Sequence, residues 1–134
     1  MTIHRYEKME CPVCSAKNRV LVWDTINAQV NPEAKAALLK GETNLYICRA
    51  CGKCFLMDKP LLYHDIEIGY MAWYFPFSLV RNGKILEWID PTGQARGIED
   101  CSECDYAASI HYVFDMDELV RYIRFRDVLA GRMG

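Results

Sequence analysis

Two pairs of cysteines with the same spacing are the residues of this 134-residue chain best suited to chemistry. Cys11 and Cys14 form the first pair, and Cys48 and Cys51 form the second. Each Cys-x-x-Cys turn supplies two thiolates from one tight loop, and two such turns complete the tetrahedral ligand set of Zn²⁺. The pattern therefore predicts a Cys₄ zinc site. Four thiolates also suit iron, so the choice between the two metals stays open.

A site with four protein ligands is structural rather than catalytic, because no coordination position is left for water or substrate. The chain also contains no nucleophile elbow, no phosphate-binding glycine loop and no HExxH helix. His64 stands beside Asp65, but adjacent residues of a strand point to opposite faces. A structural histidine is therefore favoured over a general acid or base, and the sequence argues against an enzyme.

Three further cysteines complicate this pattern. Cys54 forms an overlapping Cys-x-x-Cys with Cys51, although Gly52 favours the earlier pair because glycine lets the chain leave the turn at positive φ. Cys101 and Cys104 form a third pair among acidic residues. Nearby carboxylates would raise the thiol pKa and attract a cation. The third pair is therefore either a second metal site, a redox dithiol or a pair with no role.

The elements that must position the cysteines have clear local signals. Strands are predicted over residues 19–23, 44–48 and 55–57, around the two cysteine turns. A short helix is predicted between them, with Asn31 as N-cap and Pro32 in its first turn. A second helix is predicted from Asp115, with Glu118 at a capping-box spacing and Gly131 beyond its end. Its apolar arc is broad, which suits a helix that contacts more than one surface.

The middle of the chain reads as β-structure. Residues 66–75 and 109–114 are rich in β-branched and aromatic types. An Asn-Gly pair at residues 82–83 predicts a hairpin that joins 77–81 to 84–89. The aromatic run within 70–77 is interpreted as sheet core rather than as a ligand surface.

Several of these motifs together resemble the bacterial and archaeal CpXC family, which is named for its paired cysteine motifs. The resemblance is carried by Cys11–Cys14, Ile26–Ala28, Asn31–Pro32, Cys48–Gly52, Leu61–Asp65 and the last helix. It implies a domain like a zinc ribbon, with Cys11, Cys14, Cys48 and Cys51 as ligands, and it implies no activity. The chain departs from the family pattern by adding Cys54, Cys101 and Cys104, and by having Ser15 where a first turn often has glycine.

The sequence thus predicts one α+β domain over residues 1–134: a zinc ribbon with an inserted short helix, antiparallel β-strands and a C-terminal helix. Its parts are the ribbon (1–64), a β-rich part (65–114) and the last helix (115–131). The predicted function is a zinc-binding protein-interaction module whose partner is a protein, with a homodimer as one option. The alternatives are a thiol–disulfide redox protein and a nucleic-acid-binding ribbon.

Charge and hydropathy set limits on these options. Residues 1–64 carry a net charge of +3 and residues 65–114 carry −5. A Zn²⁺ ion with four thiolates would lower the first value to about +1, which argues against nucleic acid as a partner. The longest run without a charge has 13 residues, too short to cross a membrane. The first residues contain no apolar signal segment, and cysteines arranged as metal ligands are typical of a reducing compartment, so a cytoplasmic location is expected.

Overall fold

The computed structural model describes residues 3–57, 59–96 and 110–132, and these form an α+β fold, as predicted. The strands within the described residues are β1 (Ile3–Glu10), β2 (Lys17–Asn27), β3 (Leu45–Ile47), β4 (Cys54–Leu56), β5 (Leu61–Asp65), β6 (Tyr70–Tyr74) and β7 (His111–Val113). A five-stranded sheet has the order β1-β2-β5-β6-β7, and a separate small sheet pairs β3 with β4. The three α-helices within the described residues are α1 (Pro32–Leu39), α2 (Phe77–Arg81) and α3 (Met116–Leu129).

A long antiparallel hairpin, β1–β2, leads into and out of the first cysteine turn. Strand β1 was not predicted, because its charged residues conceal the β-pattern. It lies at the edge of the sheet, where alternating charges are tolerated and discourage further pairing.

Two strand pairs of the large sheet are parallel: β2 with β5 and β6 with β7. The prediction of an antiparallel arrangement holds for β1–β2, β3–β4 and β5–β6, and is wrong for these two. A parallel pair requires a long crossover connection. Residues 28–60, which contain α1 and the small sheet, provide that connection between β2 and β5.

The predicted hairpin over residues 77–89 is wrong. Residues 77–81 form α2, and Lys84–Glu87 form a turn of 3₁₀-helix. A two-residue type I′ hairpin requires positive φ at both central residues, whereas Asn82 has φ −94° and only Gly83, at +77°, is left-handed. Gly83 therefore separates two short helices instead of joining two strands. The strand predicted over 66–75 is shorter than expected, because residues 66–69 form a turn before β6.

The main core lies between one face of the large sheet and helices α1 and α3. Helix α3 begins as predicted, with the Asp115 carboxylate accepting a hydrogen bond from the Asp117 N–H, at 2.8 Å. Its Leu119 and Ile123 are fully buried, whereas Phe125 and Leu129 are exposed. The main core consists of Ile26, Ala28, Ala34, Leu38, Leu61, Tyr63, Tyr70, Ala72, Tyr74, Val113, Leu119 and Ile123.

A second, smaller core lies between β2 and the small sheet, and contains Val20, Val22, Tyr46 and Met57. The two cysteine turns lie at the ends of the β1–β2 and β3–β4 hairpins that enclose this core. None of the helices in the described part of the chain is long and apolar enough to span a membrane.

Candidate metal centre

The four predicted ligand cysteines come together from two distant turns. Their Sγ atoms all lie within 4.8 Å of one another. The Cys11–Cys51 and Cys14–Cys48 Sγ–Sγ distances are both 3.6 Å. A regular tetrahedron with Zn–S bonds of about 2.3 Å has S–S edges of about 3.8 Å, so the cluster fits a tetrahedral ion. It does not contain a disulfide, which requires about 2.05 Å.

The two turns have the same backbone hydrogen bonds. In the first, the N–H of Cys11 donates to the carbonyl of Ala16 at 2.8 Å, and the N–H of Ser15 donates to the carbonyl of Cys11 at 2.9 Å. In the second turn, Cys48 donates to Lys53 and Gly52 donates to Cys48, both at 2.8 Å. Each turn therefore presents its sulfurs in the same way, with the first cysteine buried and the second exposed.

Ser15 and Gly52 occupy equivalent positions in the two turns. Their φ angles are +64° and +75°, both in the left-handed region. Glycine adopts this conformation freely, whereas a residue with a Cβ adopts it at a cost of about 1 kcal/mol. The first turn therefore has the left-handed geometry that suits glycine, and Ser15 adopts it at this conformational cost.

Asn18 joins the two turns, and sequence reasoning missed it. This buried side chain lies in β2, and its Oδ1 accepts the N–H of Arg49 from the second turn at 3.0 Å. Its Nδ2 donates to the carbonyl of Ala16 in the first turn at 3.3 Å, and lies 3.5 Å from the sulfur of Cys48. An asparagine among the apolar residues of a strand was the available signal, but its partners in the second turn are 30 and 31 residues away.

The protonation of the thiols reflects their crowding. Hydrogen bonds from the backbone of Cys51 and from the Asn18 amide lower the pKa of Cys48 to about 6. A hydrogen bond from the Ala16 backbone favours the Cys14 thiolate, but partial desolvation and hydrogen bonds with the other three cysteines together raise the pKa of Cys14 to about 12. Thiolates this close repel one another, so a full set of four is favoured only around a cation.

The remaining predicted residues lie elsewhere. Cys54 is exposed in β4, outside the four-cysteine cluster. Cys101 and Cys104 lie outside the described residues. His64 is buried in β5, and the neighbouring Asp65 is also buried and bonded to Arg132 at 2.6 Å. In the aromatic run, Tyr70, Tyr74 and Phe75 are buried, as the sheet-core interpretation predicts, while Phe77 is exposed.

Comparison with known proteins assigns the chain to a family. A family model described as "CpXC protein" matches residues 9–129, a span that contains both cysteine turns and all of α3. The chain therefore belongs to the CpXC family. No curated protein and no solved structure matches it.

Proposed function

We propose that this member of the CpXC family holds one zinc ion in a closed site formed by Cys11, Cys14, Cys48 and Cys51. The observation that carries the proposal is the approach of four thiol sulfurs to within 4.8 Å, with two edges close to the tetrahedral length. Zinc is preferred to iron because two Cys-x-x-Cys turns with four thiolates are the usual structural zinc site. Free thiols in this arrangement suit a reducing compartment, and we propose the cytoplasm.

The role proposed for the ion is to hold two hairpins together as a zinc ribbon within a single domain, 1–134. Each hairpin ends in a cysteine turn, and in the described part of the chain the core between them has four buried residues. A metal that joins the two turns supplies the cross-link that such a small core needs. With all four ligands from the protein, the ion has no position for substrate, so an enzymatic role for it is not proposed.

The function proposed for the whole molecule is protein binding. Leu45 and Ile47 of the small sheet are exposed, with Ile47 at 65%. Phe125 and Leu129 form a second exposed apolar surface on α3. Exposed apolar groups of this kind are typical of interaction surfaces. The partner is a protein, and a second copy of the chain is one candidate.

Metal analysis of the purified chain tests the site. We expect one zinc per chain in the wild type and none in Cys48→Ser, with Cys54→Ser as the matched control that retains the ion. Two zinc ions per chain would assign a second site to Cys101 and Cys104. Metal-free protein with rapidly reacting Cys11 and Cys48 thiols would overturn the proposal and support a thiol–disulfide protein instead.

Light scattering coupled to size-exclusion chromatography tests the homodimer. A mass of about twice the 15.5 kDa of the chain would identify the second copy as a partner. A strict monomer would exclude self-association and direct the search to another protein.

A further inference from the structure

An open gap separates β2 from the small sheet. The two strands face each other in antiparallel directions, with Asn18 opposite Arg49 and Trp23 opposite Asn44. Their Cα atoms nevertheless lie mostly more than 8 Å apart, whereas neighbouring strands of one sheet are about 4.8 Å apart. The open space has a volume of about 290 Å³.

The edge of β2 directs unpaired backbone groups into this gap. In an antiparallel pair, successive residues alternate between bonding the partner strand and pointing away from it. Cys11 bonds Ala16 across the hairpin, and Trp23 bonds Asn44 instead of β1. Leu21 and Arg19 precede Trp23 by two and four residues, so they share its place in this alternation. Their N–H and C=O groups therefore point away from β1, towards β3.

The edge of β3 also directs unpaired backbone groups into the gap, from the side opposite β2. Cys48 bonds Lys53 and Asn44 accepts from Met57, at 2.8 and 2.7 Å, so these positions face β4. The alternate residues, Leu45 and Ile47, therefore direct their N–H and C=O groups towards β2. Among the described residues, no backbone hydrogen bond joins β2 to β3.

Two asparagine side chains bridge β2 and the segment around β3, one near each end of the gap. Asn44 both accepts from the N–H of Trp23 and donates to its carbonyl, at 2.8 and 3.0 Å, as a paired strand would. At the other end, Asn18 accepts the N–H of Arg49. The amides thus replace ladder hydrogen bonds at both ends and leave room between them for about three or four extended residues.

We propose that an extended segment of a partner protein binds between β2 and β3 as an added strand, and so joins the two sheets. This inference rests on the proposed protein-binding function and names its surface and the chemistry of the partner. Arg19, Leu21, Leu45 and Ile47 offer the segment four N–H donors and four carbonyl acceptors.

The side chains around the gap define the sequence that fits. Val20 and Tyr46 are buried beneath it, and Leu45 and Ile47 flank it on the exposed side. Arg19 and Arg49 stand at one end, without an acidic partner among the described residues, and Glu42 stands at the other. The preferred segment therefore alternates apolar residues and carries an acidic residue at the end near the two arginines.

The test uses the zinc-loaded full chain and a phage-displayed library of linear 12-residue peptides. Selected peptides should show the alternating apolar pattern with one acidic end. On binding, the amide exchange of Arg19, Leu21, Leu45 and Ile47 should slow at least tenfold, measured by NMR on the wild type.

A pair of proline variants locates the binding surface. Leu21→Pro removes a donor that points into the gap, and should weaken peptide affinity at least tenfold. Lys8→Pro is the matched control, because Lys8 lies opposite Arg19 on β1 and its N–H points to the outer edge of the sheet. Zinc content and the amide spectrum establish that both variants are folded, and the exchange measurement on the wild type does not depend on them.

Two results would overturn the proposal. Peptides that protect α3 or the outer edge of β4 would show that the gap is not the site, while protein binding itself would stand. Failure to select any peptide on protein with one bound zinc would contradict strand addition, and would leave the zinc site unaffected. Loss of the zinc site would be seen separately in the metal analysis.

Discussion

The two cores of this molecule differ in what stabilises them. Among the described residues, the core between the hairpins has four buried residues, and the core under α1 and α3 has twelve. The hairpin region therefore gains much less from apolar burial than the helix-covered region does.

In the proposed function, the two regions therefore differ in which groups stabilise them: the cysteine sulfurs in the hairpin region and the apolar residues in the helix-covered region. In that proposal, a metal ion bound by the four clustered cysteines is the main source of stability for the hairpins, whereas the sheet with α1 and α3 folds by hydrophobic burial. Strand β2 passes through both cores, so each region still restrains the other.

Removal of the metal should unfold the hairpin region and leave the helix-covered region folded, which is the largest effect expected. With a tight zinc chelator, amide protection in residues 44–57 should be lost, because zinc binding in small domains supplies about 10 kcal/mol or more of folding free energy. The amides of α3 should remain protected. Hydrogen exchange with mass spectrometry measures both regions at once, and zinc added back should restore protection. Unchanged protection of 44–57 in zinc-free protein would contradict the comparison.

A substitution in the main core should destabilise the helix-covered region and leave the metal site intact. Leu119 is fully buried in α3, and Leu119→Ala should lower the free energy of unfolding by about 3 kcal/mol. The zinc content should stay at one ion per chain, because the hairpin core is separate. The exposed Leu129 provides the control, since Leu129→Ala should change stability by less than about 0.5 kcal/mol in urea unfolding. A zinc-free Leu119→Ala protein would show that the two regions fold as one.

A buried ion pair should give the helix-covered region its own pH dependence. Burial tends to raise the pKa of Asp65, but hydrogen bonds from Arg132, Ile68 and Gln29 lower it below its usual value overall. A carboxylate with a lowered pKa stabilises the fold above its unfolded pKa of about 3.9 and loses that contribution as the pH falls through its folded pKa. The helix-covered region should thus resist acid until below about pH 4.

Arg132→Gln tests this ion pair, because it leaves a fully buried carboxylate without its cation. We expect a loss of roughly 2 kcal/mol at pH 7, reduced by the partial exposure of Arg132, and acid unfolding at a higher pH. Urea unfolding between pH 3 and 7 measures both. Arg121→Gln, on the exposed side of α3, serves as control. Equal acid sensitivity of wild type and Arg132→Gln would show that the Asp65–Arg132 ion pair does not set the pH dependence.

The smallest effect expected concerns the two cysteine turns. Ser15→Gly should stabilise the zinc-bound state by roughly 0.5 kcal/mol by relieving the left-handed strain, and Gly52→Ser should destabilise it by about 1 kcal/mol. A Cβ at Gly52 would meet no atom within 4 Å, so its cost is conformational. Competition with a zinc indicator measures both variants. Weaker zinc binding in Ser15→Gly would show that the serine hydroxyl has a role of its own.

Features with local causes could be predicted from the sequence. The cysteine turns, α1 and α3 depend on residues a few positions apart, such as Pro32 in the first turn of α1 and Asp115 with its following turn. The Asn-Gly pair was misread for a related reason. A left-handed glycine suits the end of a helix as well as a hairpin, and only Gly83 needed that conformation.

Features that depend on distant partners could not be predicted. Strand β1 is a strand because β2 pairs with it, and the parallel pairing of β2 with β5 depends on the crossover between them. The bonds from Asn18 to Arg49, from Asn44 to Trp23 and from Arg132 to Asp65 span 21 to 67 residues, so the local sequence does not identify these partners. The four clustered cysteines were evident in the sequence, but the role of Asn18 in joining their turns was not.

X-ray absorption spectroscopy at the zinc edge of the purified chain tests the central claim most directly. A closed site predicts four sulfur neighbours at about 2.3 Å and no nitrogen or oxygen neighbour. A shell with fewer than four sulfurs, completed by nitrogen or oxygen, would contradict the closed Cys₄ site.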